Sequence, residues 1–153
     1  MKWHYTPAWK RAAREVKKLQ GARVKVGILA AEQHSGDITI AGVATLHEYG
    51  NPRSGHPERS FIRRTFREKK SDLESLITAQ TKKVMGGSTS AQKAMNTLGV
   101  WGAGAVKKTI IGGVSPPNAP STVRRKKSSK PLVDTSQLIG AVTHKVEFRI
   151  GGI

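Results

Sequence analysis

A run of 59 residues without a single acidic side chain constrains this chain more than any other feature of its sequence. No Asp or Glu stands between Glu74 and Asp134, whereas ten lysines and arginines lie in that interval. The whole chain of 153 residues carries a formal net charge of +17. So large an excess of one sign repels itself and is typically balanced by a polyanion or an acidic protein surface. The alternative is a solvated surface that like charge keeps soluble.

Two basic clusters are the candidate contacts to DNA or to acidic protein. The first comprises Arg124, Arg125, Lys126, Lys127 and Lys130, and the second includes Arg63, Arg64 and Arg67. No helix-turn-helix, zinc-finger or aromatic RNA-binding signature accompanies them, which disfavours sequence-specific recognition of nucleic acid.

The remaining composition indicates one folded domain over residues 1–153. Apolar residues make up 37% of the chain and charged residues 24%, which is compatible with a buried core. The longest mostly apolar stretches, 38–46 and 98–106, fall short of the roughly 18 residues that a membrane helix needs. The chain has no cysteine, which excludes disulfides, thiolate metal sites and a cysteine nucleophile.

Hydrophobic spacing predicts the elements of the first third. Residues 7–19 are typical of an amphipathic helix, and the strict alternation at 23–28 predicts a strand. Asp37 or Thr39 is the expected cap of a helix that reaches Tyr49, although the β-branched residues at 38–43 leave a strand open for its first half.

The next two segments have a helical pattern. Residues 58–85 predict a helix of about 28 residues, roughly 42 Å long, which a domain of this size can accommodate only if it kinks near Lys70 or projects toward a neighbour. Ser88 or Ser90 is expected to cap a second long helix that reaches Ile111. The small residues in its middle, at 98–105, indicate close backbone contact, either with a sheet in the same subunit or with another subunit.

A proline-rich basic segment separates the long helices from the C-terminal strand. Residues 112–131 are expected to form an extended loop, because four prolines stand there beside the first basic cluster. A capped turn near Asp134 and a strand over 141–150 follow. The predicted class is α+β, with a small antiparallel or mixed sheet packed against two long helices, and with the core in 22–111 and 132–150.

No catalytic template fits the sequence. His47-Glu48 lacks the second histidine of a metalloprotease helix, and the five histidines are scattered. The ten acids are too thinly spread for the carboxylate cluster of a metal-dependent nuclease. We therefore predict no enzymatic activity, no cofactor and no metal.

Four stretches occur together in an order that is familiar. They are LHEYGNP at 46–52, PERSFIRRTF at 57–66, PPNAPST at 116–122 and KPLVDTSQL at 130–138. This order resembles the tail-completion, or head–tail joining, proteins of tailed bacteriophages. Ser136 stands where that family has glycine, and Glu58 and Ser60 replace the commoner residues of its proline–aromatic turn.

The resemblance implies a structural protein of the virion neck. It implies a ring of identical subunits, six or alternatively twelve in number, that is assembled in the host cytoplasm and joins the tail tube or tail terminator to the head connector. The channel of such a ring is a place for DNA, and no membrane is involved. Its motif residues here are Glu48, Tyr49, Gly50, Phe61, Pro117, Pro131, Leu132, Asp134, Thr135 and Leu138. The resemblance implies that the first four fix a helix–turn–helix junction and that Asp134 and Thr135 cap the last turn.

Two other hypotheses come from different classes of protein. The first is a free protein that binds nucleic acid without sequence preference. The second is a hydrolase that acts on DNA or cell wall. Oligomeric state and the salt dependence of DNA binding separate the neck protein from the free binder, and the loss of activity on adding a chelator would reveal the hydrolase.

Overall fold

The structure, a computed structural model, describes residues 6–29, 33–35, 38–117 and 137–148. Its α-helices are α1 (Pro7–Gln20), α2 (Ile40–Tyr49), α3 (Ile62–Glu68), α4 (Lys70–Met85), α5 (Ala91–Gly112) and α6 (Gln137–Ala141). Its strands are β1 (Ala22–Ile28), β2 (Gln33–Ser35), β3 (Ile38–Thr39) and β4 (Val142–Phe148), and a 3-10 turn covers Pro52–Ser54. The predicted α+β class is therefore confirmed for the described residues.

The main sheet joins the two ends of the described chain. β1 and β4 pair in antiparallel register, with Val24 opposite Val146 and Ile28 opposite Val142. The alternation that predicted β1 is present, because its even-numbered residues are less exposed than Arg23 and Lys25. β2 and β3 form a second, two-stranded antiparallel sheet.

Helix α5 crosses the main sheet at a very close distance, and its glycines permit this. A Cβ on Gly99 would lie 2.1 Å from Cδ2 of His144 on β4, and a Cβ on Gly102 would lie 3.0 Å from Cγ2 of Val26 on β1. Of the two contacts left open for the small-residue stretch, helix-on-sheet packing within the subunit is the one present. Helix α4 packs against α5, and α1 packs against both helices.

The core lies between α5, the sheet and the shorter helices. Phe61, Val106 and Ile110 have no exposed surface, and Val142 and Leu138 are almost as fully buried. Burial of a side chain the size of Phe or Ile contributes about 1.5–3 kcal/mol to stability. The segment before α3 is consequently anchored by Phe61.

The long helix predicted over 58–85 is divided and begins later. Helix α3 starts at Ile62, because residues 57–60 are not helical and the backbone N–H of Arg59 instead donates to the carbonyl of His47 (2.7 Å). The helix breaks at Lys69, whose φ and ψ of −103° and 20° are not helical, close to the kink expected near Lys70.

Local caps hold α2 and α5 as expected. Thr39 Oγ1 accepts from the N–H of Gly42 (3.0 Å) and Ser90 Oγ accepts from the N–H of Lys93 (3.3 Å). Of the alternatives left open for residues 38–43, both occur, since the strand ends at Thr39 and the helix starts at the next residue.

Candidate functional site

The carboxylate of Glu48, in the last turn of α2, joins two of the recognised sequence stretches, 46–52 and 57–66. Its Oε2 accepts from the backbone N–H groups of Phe61 (2.8 Å) and Ile62 (2.9 Å). Its Oε1 accepts from Ser60 Oγ (2.9 Å) and from both the backbone N and Nε of Arg63 (3.0 Å each). The first N–H groups of a helix have no partner inside it, and Phe61 offers no side-chain cap. Glu48 therefore caps α3 from another helix.

Glu48 is ionised despite being only 5% exposed. Burial by itself raises the pKa of a carboxyl group, because the charge loses solvation. Hydrogen bonds from the backbone N–H groups of Arg63 and Ile62, and from the side chains of Arg63 and Ser60, outweigh that effect and lower the pKa of Glu48 below its ordinary value. The ionised carboxylate accepts a hydrogen bond from each of the five donors around it.

Arg63 connects the buried carboxylate to the protein surface. Its Nη2 donates to the backbone carbonyl of Glu48 (2.6 Å) and to Glu58 Oε1 (2.9 Å). Its guanidinium carbon lies 4.6 Å from the centre of the Tyr49 ring, a cation–π distance. The hydrogen bond to Glu48 raises the pKa of Arg63, so the group remains charged.

Tyr49 and Arg63 form an exposed pair with a fixed geometry. Tyr49 is 61% exposed and the side chain of Arg63 is about half exposed. A shallow groove of about 190 Å³ lies beside them. Its other lining residues are Ile28, Ala41, Ala44, Thr45, Glu48 and Ile62. Tyrosine and arginine are among the residues most enriched at the centres of protein–protein contacts.

Gly50 is required by the close approach of two chain segments. Its φ of +68° is unfavourable for residues with a side chain, and a Cβ there would lie 2.7 Å from the backbone N of Glu58 and 2.9 Å from the carbonyl O of His56. The chain after α2 can therefore turn back against residues 56–58 only with glycine at this position.

The contacts between the end of α2 and the start of α3 around Glu48 form what we call the Glu48 junction. Arg59 links this junction to the beginning of the proline-rich segment. Its Nε donates to the carbonyl of Pro116 (2.8 Å) and its Nη2 to the carbonyl of Pro117 (3.2 Å), and the residue is 7% exposed. Burial lowers the pKa of Arg59 from its very high ordinary value. Pro117 is thus held at the Glu48 junction although it is distant in sequence.

The structure brings together part of the predicted set. Glu48, Tyr49, Gly50 and Phe61 lie at one junction with Pro117 joined to it through Arg59, whereas Leu138 lies in the core. The remaining predicted motif and loop residues, Arg124, Arg125, Lys126, Lys127, Lys130, Pro131, Leu132, Asp134 and Thr135, lie outside the described residues.

The second basic cluster is divided by its intramolecular contacts. Arg63 is bound to Glu48, and Arg64 Nε pairs with Glu68 (2.7 Å). Arg67 is exposed and has no acidic partner within 4 Å among the described residues. Of these three arginines, only Arg67 has a guanidinium group without an acidic partner within 4 Å among the described residues.

The roles of Arg59 and Ser60 were not foreseen from the sequence. Ser60 appeared only as a departure from a motif, whereas its hydroxyl donates to Glu48. Arg59 appeared only as one residue of the stretch at 57–66. No local pattern marks either role, because both residues bind groups on other segments of the chain.

The chemistry available here is that of a structural contact. A carboxylate that already accepts five hydrogen bonds is a poor base, and within the described ranges no three His, Asp or Glu side chains come together as metal ligands would. None of the helices in the described ranges is long and apolar enough to cross a bilayer.

Comparison of the chain with protein-family models, curated proteins and solved structures found no match.

Proposed function

We propose that this chain is a structural subunit of the neck of a tailed bacteriophage, and that a ring of such subunits joins the tail to the head connector. One observation carries the proposal: the motif residues Glu48, Tyr49, Gly50 and Phe61, with Pro117, belong to a single junction built on one buried carboxylate. These are the positions on which the resemblance to head–tail joining proteins rests, and each has a distinct physical task.

The exposed side of that junction supports contact with another protein. Tyr49 and Arg63 are held in place by stacking and by ion pairs, so little side-chain entropy is lost when a partner covers them. The apolar part of the groove, which includes Ile28 and Ala44, lies next to them. A subunit that contacts its neighbours through this face needs no catalytic group.

The proposal includes the partners and the architecture expected from the sequence. The ring has six or twelve subunits, contacts the connector or its adaptor and the tail tube or tail terminator, and is part of the virion. The finer architecture, a small sheet against two long helices with a long proline-rich basic loop, belongs to the same proposal.

A second candidate function is nonspecific binding of nucleic acid by a free monomer. It is favoured by exposed cations that have no acidic partner within 4 Å in the described part of the chain, among them Arg11, Arg14 and Lys93. Such side chains are available to neutralise phosphates.

Sizing by light scattering and negative-stain electron microscopy test the neck proposal. The chain is examined alone and together with connector and tail-tube subunits, and we expect closed rings in at least one of these conditions. Tyr49→Ala is expected to weaken ring formation, whereas Met85→Ala, which truncates a side chain of similar exposure on α4, is the matched control. A chain that stays monomeric in both conditions and joins no particle contradicts the proposal.

A further inference from the structure

Within the described residues, a basic cleft lies between α1 and the beginning of α5. It has a volume of about 560 Å³, and Arg11, Arg14 and Lys18 line it from the side of α1. Lys93 and the hydroxyl-bearing loop at 88–90 line it from the other side. Four cations and the single carboxylate of Glu15 give the cleft a net charge of +3.

Glu15 holds the two walls of this cleft together. Its Oε2 accepts from the backbone N–H of Ala91 (2.8 Å), the first residue of α5, and its Oε1 pairs with Lys18 (2.5 Å). The hydrogen bonds from Lys18 and from the Ala91 N–H lower the pKa of Glu15, so it stays ionised at neutral pH. The carboxylate thus binds the N-terminus of α5, while Arg11, Arg14 and Lys93 face solvent.

The basic residues of α1 continue beyond the cleft as a regular stripe. They are Lys10, Arg11, Arg14, Lys17 and Lys18. At about 3.6 residues per turn and 1.5 Å per residue, these five side chains fall within an arc of about 120° and a length of about 12 Å. All of them are exposed, whereas Ala12 on another face of the helix is buried. Phosphates of one DNA strand recur about every 3.4 Å along the duplex axis, so the stripe is long enough to meet several of them.

The lining of the cleft favours phosphates over an acidic protein. Protein–protein contacts have aromatic and apolar residues at their centre, but among the described residues that line this cleft the only apolar side chain is that of Ala12. Contacts to the backbone of nucleic acid are made by arginine, lysine, serine and threonine side chains, which are the residue types present here.

We propose that the cleft and the α1 stripe together bind the phosphodiester backbone of nucleic acid without reading its sequence. The surface uses none of the residues in the two basic clusters that the sequence singled out. The inference does not depend on ring formation, since a single subunit contains the whole surface.

Two variants that remove the same charge test this proposal. Arg11→Gln/Arg14→Gln/Lys93→Gln removes three cleft cations that have no acidic partner within 4 Å in the described ranges. The control, Arg53→Gln/Lys107→Gln/Lys108→Gln, removes three cations from elsewhere. Lys107 lies about 21 Å beyond Lys93 along α5, at 1.5 Å per residue.

The measurement is the fluorescence anisotropy of a labelled 30-base-pair duplex of mixed sequence, titrated with protein at several salt concentrations between about 0.05 and 0.3 M. If each cleft cation neutralises one phosphate, the cleft variant decreases the magnitude of the negative slope of log K against log salt by about 2.7. This corresponds to a loss of affinity of about 500-fold at 0.1 M salt. We expect the control variant to lose less than tenfold.

Several results would overturn the proposal. They are no measurable binding by the wild-type chain at the lowest salt, equal losses in the two triple variants, or displacement of the DNA by polyglutamate at a lower concentration of charge than by unlabelled DNA. The last result would assign the surface to an acidic protein. Should circular dichroism show that the cleft variant is unfolded, Arg14→Gln and Lys93→Gln alone are each expected to lower the slope by about 0.9. These readings are independent of the sizing experiment, so a failure of either proposal is recognised separately.

Discussion

Replacement of Glu48 by glutamine is the sharpest test of how the junction is held. Each carboxylate oxygen accepts at least two hydrogen bonds, and three of the five donors are backbone N–H groups. Whichever way the amide turns, its NH2 group replaces one of these acceptors and faces at least two donors. A buried donor that loses its acceptor costs about 1–3 kcal/mol. We therefore expect Glu48→Gln to lower the free energy of unfolding by about 2–5 kcal/mol.

The assay is urea unfolding at pH 7, followed by circular dichroism, with Glu58→Gln as the matched control. Glu58 also pairs with Arg63, but its side chain is 56% exposed, and exposed pairs contribute about 0–1 kcal/mol. The control is therefore expected to lose less than about 1 kcal/mol. In thermal unfolding, a loss of 3 kcal/mol corresponds to a decrease in Tm of about 6–12 °C for a chain of this length. If Glu48→Gln unfolds within 1 kcal/mol of the wild type, or the two variants are equally affected, Glu48 does not hold the junction.

The same variant predicts a dependence on pH. The pKa of Glu48 is lower in the folded chain than in the unfolded chain, so its contribution is fully present above the unfolded value of about 4.3 and is lost as the pH falls through the folded value. The difference in stability between the wild type and Glu48→Gln is therefore expected to be constant from pH 7 to about pH 5. It then decreases below about pH 4, and a difference that grows on acidification would refute the assigned direction.

Two further substitutions test individual contacts by the same unfolding assay. Gly50→Ala is expected to destabilise the chain by at least about 2 kcal/mol, because it adds a Cβ against the backbone of Glu58 at a positive φ. Gly104→Ala, in the middle of α5 with open space around its Cα, is the control and should stabilise the chain by about 0.5–1 kcal/mol. Arg59→Lys keeps the charge but replaces the fork of Nε and Nη2 by a single nitrogen, which cannot reproduce both hydrogen bonds in their present geometry. A loss of about 1–2 kcal/mol is therefore expected, and an unchanged stability would contradict the link to Pro116.

Several elements could be predicted from the sequence because neighbouring residues determine them. The alternation at 23–28 corresponds to strand β1, and the hydroxyls of Thr39 and Ser90 cap the helices that directly follow them. For the long helical segment, length alone predicted either a kink near Lys70 or a projection toward a neighbour, and the break at Lys69 corresponds to the first of these. For the strand and the two caps, the relevant contact joins residues within about one turn of helix or along one strand.

The candidate site could be predicted only in part. The motif pointed to Glu48 and Phe61, but not to a carboxylate that caps a helix 13 residues further on. It gave no reason why Arg59 should bind the carbonyls of Pro116 and Pro117. Hydrogen bonds between distant segments leave no periodicity in the sequence that would reveal them.

The sequence by itself determined the surplus of positive charge and the α+β class, since composition and local spacing are sufficient for these. Only the tertiary structure decided which cations form ion pairs within the chain. Arg63 and Arg64 are paired internally, whereas Arg11, Arg14 and Lys93 line one open cleft. The physical reason is that an ion pair or a cleft depends on distances between elements. Glu15 and Ala91 lie 76 residues apart in the chain and 2.8 Å apart in the fold.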